Sequence, residues 1–300
     1  MSVESPYADL LDRIPVTERV SEVLGSPTHW WEYGEPATAE GTTLVVVHGF
    51  RGDHHGLEPV IAHLPGIHIV SPDLPGFGAS PPLDFVAHDV DGYATWLGAF
   101  IDKLDSPGRI VVLGHSFGSI VVSAALSRGL DVTAAILVNP IAAPALAGPR
   151  GILTRLAVVY YQAATALPEK AGFALLRNRA IVRVMSVSMA KTRDKDLLRF
   201  IHDQHDRYFS AFDDRRVVLE AFRASVSHDA SEYAAHVEVP VLLIAADRDD
   251  ITPVEAQHRL DESLADSRLH VIDGVGHLIH YEKPAEAAEQ IIAFLNDVAP

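Results

Sequence analysis

Residues 109–118 read Arg-Ile-Val-Val-Leu-Gly-His-Ser-Phe-Gly, and this short segment restricts the fold more than any other in the chain. Ile110, Val111, Val112 and Leu113 form a continuous apolar run, the mark of a strand covered on both faces and so of a parallel sheet between helices. Gly114-His115-Ser116-Phe117-Gly118 follows at once, and Ser119 to Leu126 continues as a small, apolar helix. So tight a strand-to-helix turn forces Ser116 into a strained backbone conformation. Gly114 and Gly118 are needed there because a Cβ on either would collide with the neighbouring strand or helix. The expected product is a serine hydroxyl held out at the carboxyl edge of the sheet, next to a helix N-terminus that favours negative charge. Alone, G-x-S-x-G is a weak pattern; its place between strand and helix gives it meaning.

A serine hydroxyl is a poor nucleophile at neutral pH and needs a histidine base, itself oriented by a carboxylate. Two later segments can supply them. Pro240 to Ala246 reads as a buried strand that empties into Asp247-Arg248-Asp249-Asp250-Ile251-Thr252-Pro253. Leu269-His270-Val271-Ile272 is the next strand, and it empties into Asp273-Gly274-Val275-Gly276-His277. Both loops leave the carboxyl ends of their strands, the edge where Ser116 also lies. The chain has 16 histidines, most expected to be exposed or satisfied by backbone carbonyls. His277 stands apart because two nearby glycines let its loop fold close to the serine turn. His280 is expected to be structural or pocket-lining, and His115 to sit beneath the sheet.

With those segments in place, the chain resembles the α/β-hydrolase superfamily, in its serine-nucleophile, cap-bearing branch, over nearly its whole length. The resemblance rests on Val47-His48-Gly49-Phe50, Asp73-Leu74-Pro75-Gly76-Phe77-Gly78-Ala79-Ser80, the Ser116 turn, the Asp249 loop and Gly276-His277, in the family's order. Glu282-Lys283-Pro284 before an amphipathic terminal helix is similar to the family's ending. It implies an α/β fold, a mostly parallel twisted sheet flanked by helices, with an inserted helical cap. It implies a catalytic triad of Ser116, His277 and Asp249, because the family's acid precedes a proline by four residues, as Asp249 precedes Pro253. Asp247 and Asp250 are then solvated loop charges or hydrogen-bonding neighbours. It further implies an oxyanion hole built from the backbone N–H groups of Phe117 and Phe50. His48 would brace that loop without doing chemistry. Two branches of the superfamily use an aspartate nucleophile to open epoxides or displace halide, and serine at 116 argues against both.

Other site chemistries fit less well. Asp53-His54-His55 and His202-Asp203-Gln204-His205 lack the spacing of an established metal mechanism. Gly76-Phe77-Gly78 lacks the third glycine of a dinucleotide turn, and there is no P-loop lysine motif. No metal and no cofactor is expected. The polar loop Arg51-Gly52-Asp53-His54-His55-Gly56 is read either as a contact for a substrate head group or as ordinary solvated loop.

The chain alternates strand and helix. Paired strands are expected across Arg19 to Tyr33, then strands at Leu44–Val47 and His68–Ser71, a helix near Val90–Leu104, the serine turn, and a strand at Ala134–Val138. Alternation then stops until Pro240. The interval shows helical spacing at Leu153, Leu156, Val159 and Tyr160, and later at Leu197, Leu198 and Ile201. Leaving a strand's carboxyl end, it should lie over Ser116 as a lid. The expected division is a hydrolase core at 1–139 and 236–300 with a cap at 140–235.

Composition bounds the partners. With 300 residues and 48% hydrophobic content, the chain can bury a full α/β core with room for one sizeable insertion. There are no cysteines, and the N-terminus is acidic (Glu4, Asp9, Asp12), so a cytoplasmic protein is expected. No apolar stretch reaches membrane-spanning length. A formal net charge of −16 disfavours nucleic acid. Residues 149–223 carry 14 Lys or Arg against 8 Asp or Glu, whereas the remainder carries 10 against 32. A basic lid on an acidic body would draw an anionic small-molecule substrate, such as a carboxylate-bearing ester or a coenzyme A thioester. Helices that merely solvate their outer faces with arginine are the simpler account. Monomer and homodimer are both open. The expected activity is serine hydrolysis of a small carboxylic ester or thioester through an acyl-enzyme. The alternatives are carbon–carbon hydrolysis of vinylogous diketones, or a non-catalytic ligand receptor of the same fold.

Overall fold

The computed structural model describes residues 3–144 and 151–299, with the side chains of all of them except 151–154. Among the described residues, eight strands form one sheet: β1 (Val16–Val23), β2 (Ser26–Tyr33), β3 (Thr42–Val47), β4 (His68–Pro72), β5 (Arg109–His115), β6 (Ala134–Val138), β7 (Val241–Ala246) and β8 (Ser267–Ile272). Their order across the sheet is β1-β2-β4-β3-β5-β6-β7-β8. The β1–β2 and β2–β4 pairs are antiparallel and the rest are parallel. From β3 the chain steps outward to β4 and then crosses back to β5 on the other side. The loops after β3 and β5 therefore diverge and leave a crevice at the carboxyl edge, the usual place for a ligand in such sheets.

The apolar runs that look undivided in sequence divide in space. Val45, Val47, Val112, Leu137 and Leu243 join one core. It is covered by α1 (Val90–Ile101) and α2 (Phe117–Leu126). Leu44, Val46, Val111, Leu113, Ile136, Val138, Leu242 and Ile244 join the other. Strand periodicity sends alternate residues to opposite faces, and helices on both faces make every position apolar. Trp96 on α1 is completely buried, and its indole N–H is satisfied by Thr28 Oγ1 at 3.0 Å.

Between β6 and β7 the chain makes its long excursion through α3 (Gly151–Ala166), α4 (Glu169–Leu176), α5 (Arg179–Met189), α6 (Lys195–Tyr208) and α7 (Arg215–Ser227). Asn178, Asp194 and Asp214 cap α5, α6 and α7, each accepting from backbone N–H groups of the first turn. The excursion leaves and returns at one point, where Ala230 N–H donates to the Ile141 carbonyl at 2.7 Å. The spacing of Leu156 and Val159 does lie on a helix, but both side chains are 60% exposed, and α3 buries Tyr161 and Ala164 instead. The Leu153 side chain and residues 145–150 lie outside the described residues. The chain then closes with α8 (Val254–Ser263), β8 and α9 (Pro284–Asp297), whose Ala287, Ala288, Ile291 and Phe294 enter the second core.

Candidate active site

Ser116 stands between β5 and α2 with φ 53° and ψ −118°, a left-handed backbone that a serine adopts only under constraint. A Cβ on Gly114 would run into the Gly118 carbonyl, and one on Gly118 into the Val47 carbonyl of the adjacent strand. Both glycines are thus required by close backbone approach. Gly49, in the loop after β3, comes so near that a Cβ there would lie 3.2 Å from Ser116 Cβ.

Two later loops converge on this turn. His277 Nε2 is 2.8 Å from Ser116 Oγ, and His277 Nδ1 is 2.7 Å from Asp249 Oδ2. With the carboxylate accepting from Nδ1–H, Nε2 is left as the acceptor for the serine hydroxyl. Asp249 Oδ1 accepts from the N–H groups of Ile251 at 2.8 Å and Thr252 at 3.2 Å. Burial works to raise the Asp249 pKa, but His277 and these two N–H groups outweigh it and hold the carboxyl below its ordinary value. Asp247 instead accepts from the N–H groups of Gly274 and Val275, and Asp250 pairs with Lys191.

Asn139 was not expected here. It follows β6 with φ 45°, and its side-chain amide donates to Asp249 Oδ2 at 3.1 Å and to the Gly276 carbonyl at 3.4 Å. One side chain thus ties the acid's loop to the histidine's loop. The available signal was an Asn at the end of a strand, the residue type that best tolerates a left-handed backbone after glycine.

Phe50 and Phe117 both border the cavity above Ser116. Phe117 is the first residue of α2, so its N–H has no acceptor within the helix. Its ring packs into the core against Tyr93. The Phe50 ring meets Phe77 below and Tyr161 and Phe222 above. His48 braces the same loop: Nδ1–H donates to the Gly49 carbonyl and Nε2 accepts from Leu74 N–H, both at 2.8 Å.

Two expectations need correction. His115 does not sit beneath the sheet; it borders the cavity, with ring centroids 4.1 Å from His280 and 5.7 Å from His277. The turn that presents Ser116 carries its neighbour to the same edge. Nor is the 51–56 loop solvated at Arg51, Asp53 or His54, which are all buried. His54 donates through its backbone N–H and Nδ1–H to Asp73, and Arg51 reaches upward into the inserted helices. Asp53, His54 and His55 place ligand-type atoms within 4.8 Å of one another, although Asp73 engages one His54 nitrogen and Asp53 one of His55. His202 and His205 converge on Ser186 Oγ.

The space above Ser116 and His277 is a cavity of about 750 Å³, closed on its far side by Ala157, Met185, Met189, Phe209, Phe222 and Val226 of the excursion. That is the size of a small-molecule site. Its walls are mostly apolar, and the hydrogen-bonded serine lies at its base.

The chain has relatives among known proteins. The model of the alpha/beta hydrolase family matches residues 44–290. The chain is 27% identical over 244 residues to the pimeloyl-(acyl-carrier protein) methyl ester esterase of Neisseria meningitidis, covering 78% of this chain and 85% of that one. It is 22% identical over 294 residues to the 2-hydroxy-6-oxo-6-(2'-aminophenyl)hexa-2,4-dienoic acid hydrolase of Metapseudomonas resinovorans, covering 93% and 91%. Among solved structures, an esterase from Exiguobacterium antarcticum superposes with a TM-score of 0.75 over 93% of this chain and 100% of that one. At 16% identity that likeness speaks to the fold alone.

Proposed function

The chain belongs to the alpha/beta hydrolase family, and from that premise we propose that it is a serine esterase or thioesterase acting on small, apolar acyl substrates through a Ser116 acyl-enzyme. One observation carries this reading: the unbroken Ser116–His277–Asp249 hydrogen-bond chain, 2.8 and 2.7 Å long, at the base of an apolar cavity. His277 Nε2 takes the hydroxyl proton as Ser116 Oγ attacks the substrate carbonyl carbon. Negative charge moves to the carbonyl oxygen, where the N–H groups of Phe50 and Phe117 receive it. Collapse of the tetrahedral adduct breaks the bond to the alcohol or thiol, which leaves with the proton held by His277. Water then loses a proton to His277, attacks the acyl carbon, and the acid departs as Ser116 recovers its hydrogen. Asp249 stays ionised throughout and stabilises the imidazolium.

The helices over the site act as a cap, residues 140–235 on a core of 1–139 and 236–300. Their apolar inner wall favours an acyl or alkyl chain. Three of their cations are already engaged: Arg183 pairs with Asp206, Arg207 with Asp203 and Lys191 with Asp250. That supports the simpler account of the basic insertion. No helix among the described residues is long and apolar enough to cross a membrane. The absence of cysteine suits a reducing cytoplasm.

A fluorophosphonate probe tests the assignment. Modification of Ser116, located by mass spectrometry and lost in His277→Ala, is the expected result. Turnover would then be sought with short p-nitrophenyl esters, acyl thioesters and a 2-hydroxy-6-oxo-dienoic acid. Folded protein that takes no label, yet moves its cap on binding a ligand, would make it a receptor.

A further inference from the structure

Arg51 is 2% exposed and has φ 60°, although it lies in a loop of a kind that usually leaves arginine in water. Its guanidinium leaves the core and enters the cap. Nε donates to the Phe209 carbonyl at 2.8 Å, one terminal nitrogen to the Leu176 carbonyl at 2.9 Å, and the other to the Tyr161 hydroxyl at 3.4 Å. Leu176 is the last residue of α4 and Phe209 the residue that closes α6. Both carbonyls therefore stand at helix C-termini, where unpaired C=O groups concentrate the negative end of the dipole. The Phe212 ring adds a face 5.3 Å from the guanidinium carbon. Two helix ends and one ring thus do for this buried cation what a carboxylate usually does.

This compensation exists only while α4 and α6 are seated. Lifting them would take away the two carbonyls and the ring and hand the guanidinium to water, releasing its loop. The residue before Arg51 is Phe50, and the left-handed turn at 51 is a conformation that persists only where its surroundings hold it. We propose that Arg51 is a positioning residue: clamped between the C-termini of α4 and α6, it fixes the backbone at 50–51 and makes the Phe50 N–H an oxyanion donor only when the cap is closed. The inference rests on the esterase reading given above. It means that Ser116 is acylated only once the substrate is covered and the hole is complete.

The test compares Arg51→Met, Arg51→Lys and Tyr161→Phe with the parent protein. kcat and KM for a short-chain ester are measured per active site titrated with fluorophosphonate, beside the melting temperature and hydrogen exchange in α4 and α6. Arg51→Met should lower kcat about 10- to 100-fold, less than the 10²–10³ lost on deleting a donor outright, with KM within about threefold. Exchange in α4 and α6 should rise in parallel. Lysine cannot reach both helix ends at once, so Arg51→Lys should lose at least about fivefold in kcat. Tyr161→Phe removes only the longest bond and should stay within about twofold. A folded Arg51→Met with parental kcat, or one changed in KM alone, overturns the proposal. If methionine prevents folding, a parental kcat in Arg51→Lys overturns it equally. A parent protein with neither ester turnover nor a Ser116 label takes down the esterase reading and this inference together.

Discussion

The turn around Ser116 and the five helices above it are held by different forces. Every residue from Val111 to Leu126 except Ser116 is buried, and the geometry is set by backbone atoms in van der Waals contact. The inserted helices leave Val184 70% exposed and Val187 57% exposed. These helices share the first core through residues such as Tyr161, Val217 and Phe222, and long side chains that reach carbonyls fasten them further: Arg51 to Phe209 and Leu176, Arg177 to Phe212, Arg215 to Ala164 and Leu167. Sterics of the first kind admit one arrangement or none. Directional bonds of the second kind can be weakened one at a time. The difference teaches where change is tolerated: Ser116 sits on an unyielding floor, and the helices that roof the cavity are adjustable.

Ser116→Ala probes the floor most severely. It should reduce kcat by about 10⁴-fold or more while leaving the melting temperature nearly unchanged, because a methyl fits where the CH₂OH stood. A variant with most of its activity would remove Ser116 from the chemistry. Gly118→Ala should cost about 3 kcal/mol in denaturant unfolding, the upper end of overpacking, because the Val47 carbonyl belongs to a central strand and cannot yield. A neutral result would show that the floor yields as the roof does. Asn139→Ala should lower kcat about tenfold with little effect on KM, since Asp249 and Gly276 would lose their shared donor. An unchanged kcat would make Asn139 a purely structural residue.

The boundary between floor and roof should respond to pH. Burial pushes His115 and His205 down to about 3, and His280 lies well below its ordinary value for the same reason. Above pH 6.5 folded and unfolded chains both hold these rings neutral. Between pH 6.5 and about 3 the unfolded chain binds protons that the folded one refuses, so stability present at neutral pH is lost on acidification. Each ring adds to that slope in the same direction. The melting temperature should fall from pH 7 to pH 5, and less steeply in His205→Asn; an identical slope would refute this. The smallest effect belongs to the roof's outer surface. Val184→Ser should shift stability by less than about 0.5 kcal/mol.

What was legible in the sequence follows the same division. The serine turn could be read because strand, glycines and helix are contiguous and their constraint is local. Asp249 and His277 each follow an apolar strand, so their arrival at one edge follows from parallel topology. Asn139 and Arg51 were missed for the opposite reason. Asn139 meets a carboxylate 110 residues away, and Arg51 a carbonyl 158 residues away, with no local pattern to announce either. His115 borders the cavity because it ends β5, where His277 and His280 of a distant loop close beside it. Leu156 and Val159 showed helical spacing, but spacing alone does not say which face of an amphipathic helix is covered.

The bond between Ala230 N–H and the Ile141 carbonyl has a consequence for how such a protein changes over generations. Ile141 N–H is in turn held by Ser119 Oγ at 3.1 Å, and that hydroxyl donates to the Ser116 carbonyl at 2.5 Å. Both ends of the excursion are thus pinned to the helix that Ser116 precedes. Closing a loop between pinned ends costs only about 0.6 kcal/mol for each doubling of its length. The segment between Ile141 and Ala230 can therefore change length at little cost in chain entropy. Insertions and deletions there can reshape the cavity without moving its ends, provided that the Leu176 and Phe209 carbonyls that hold Arg51 are kept.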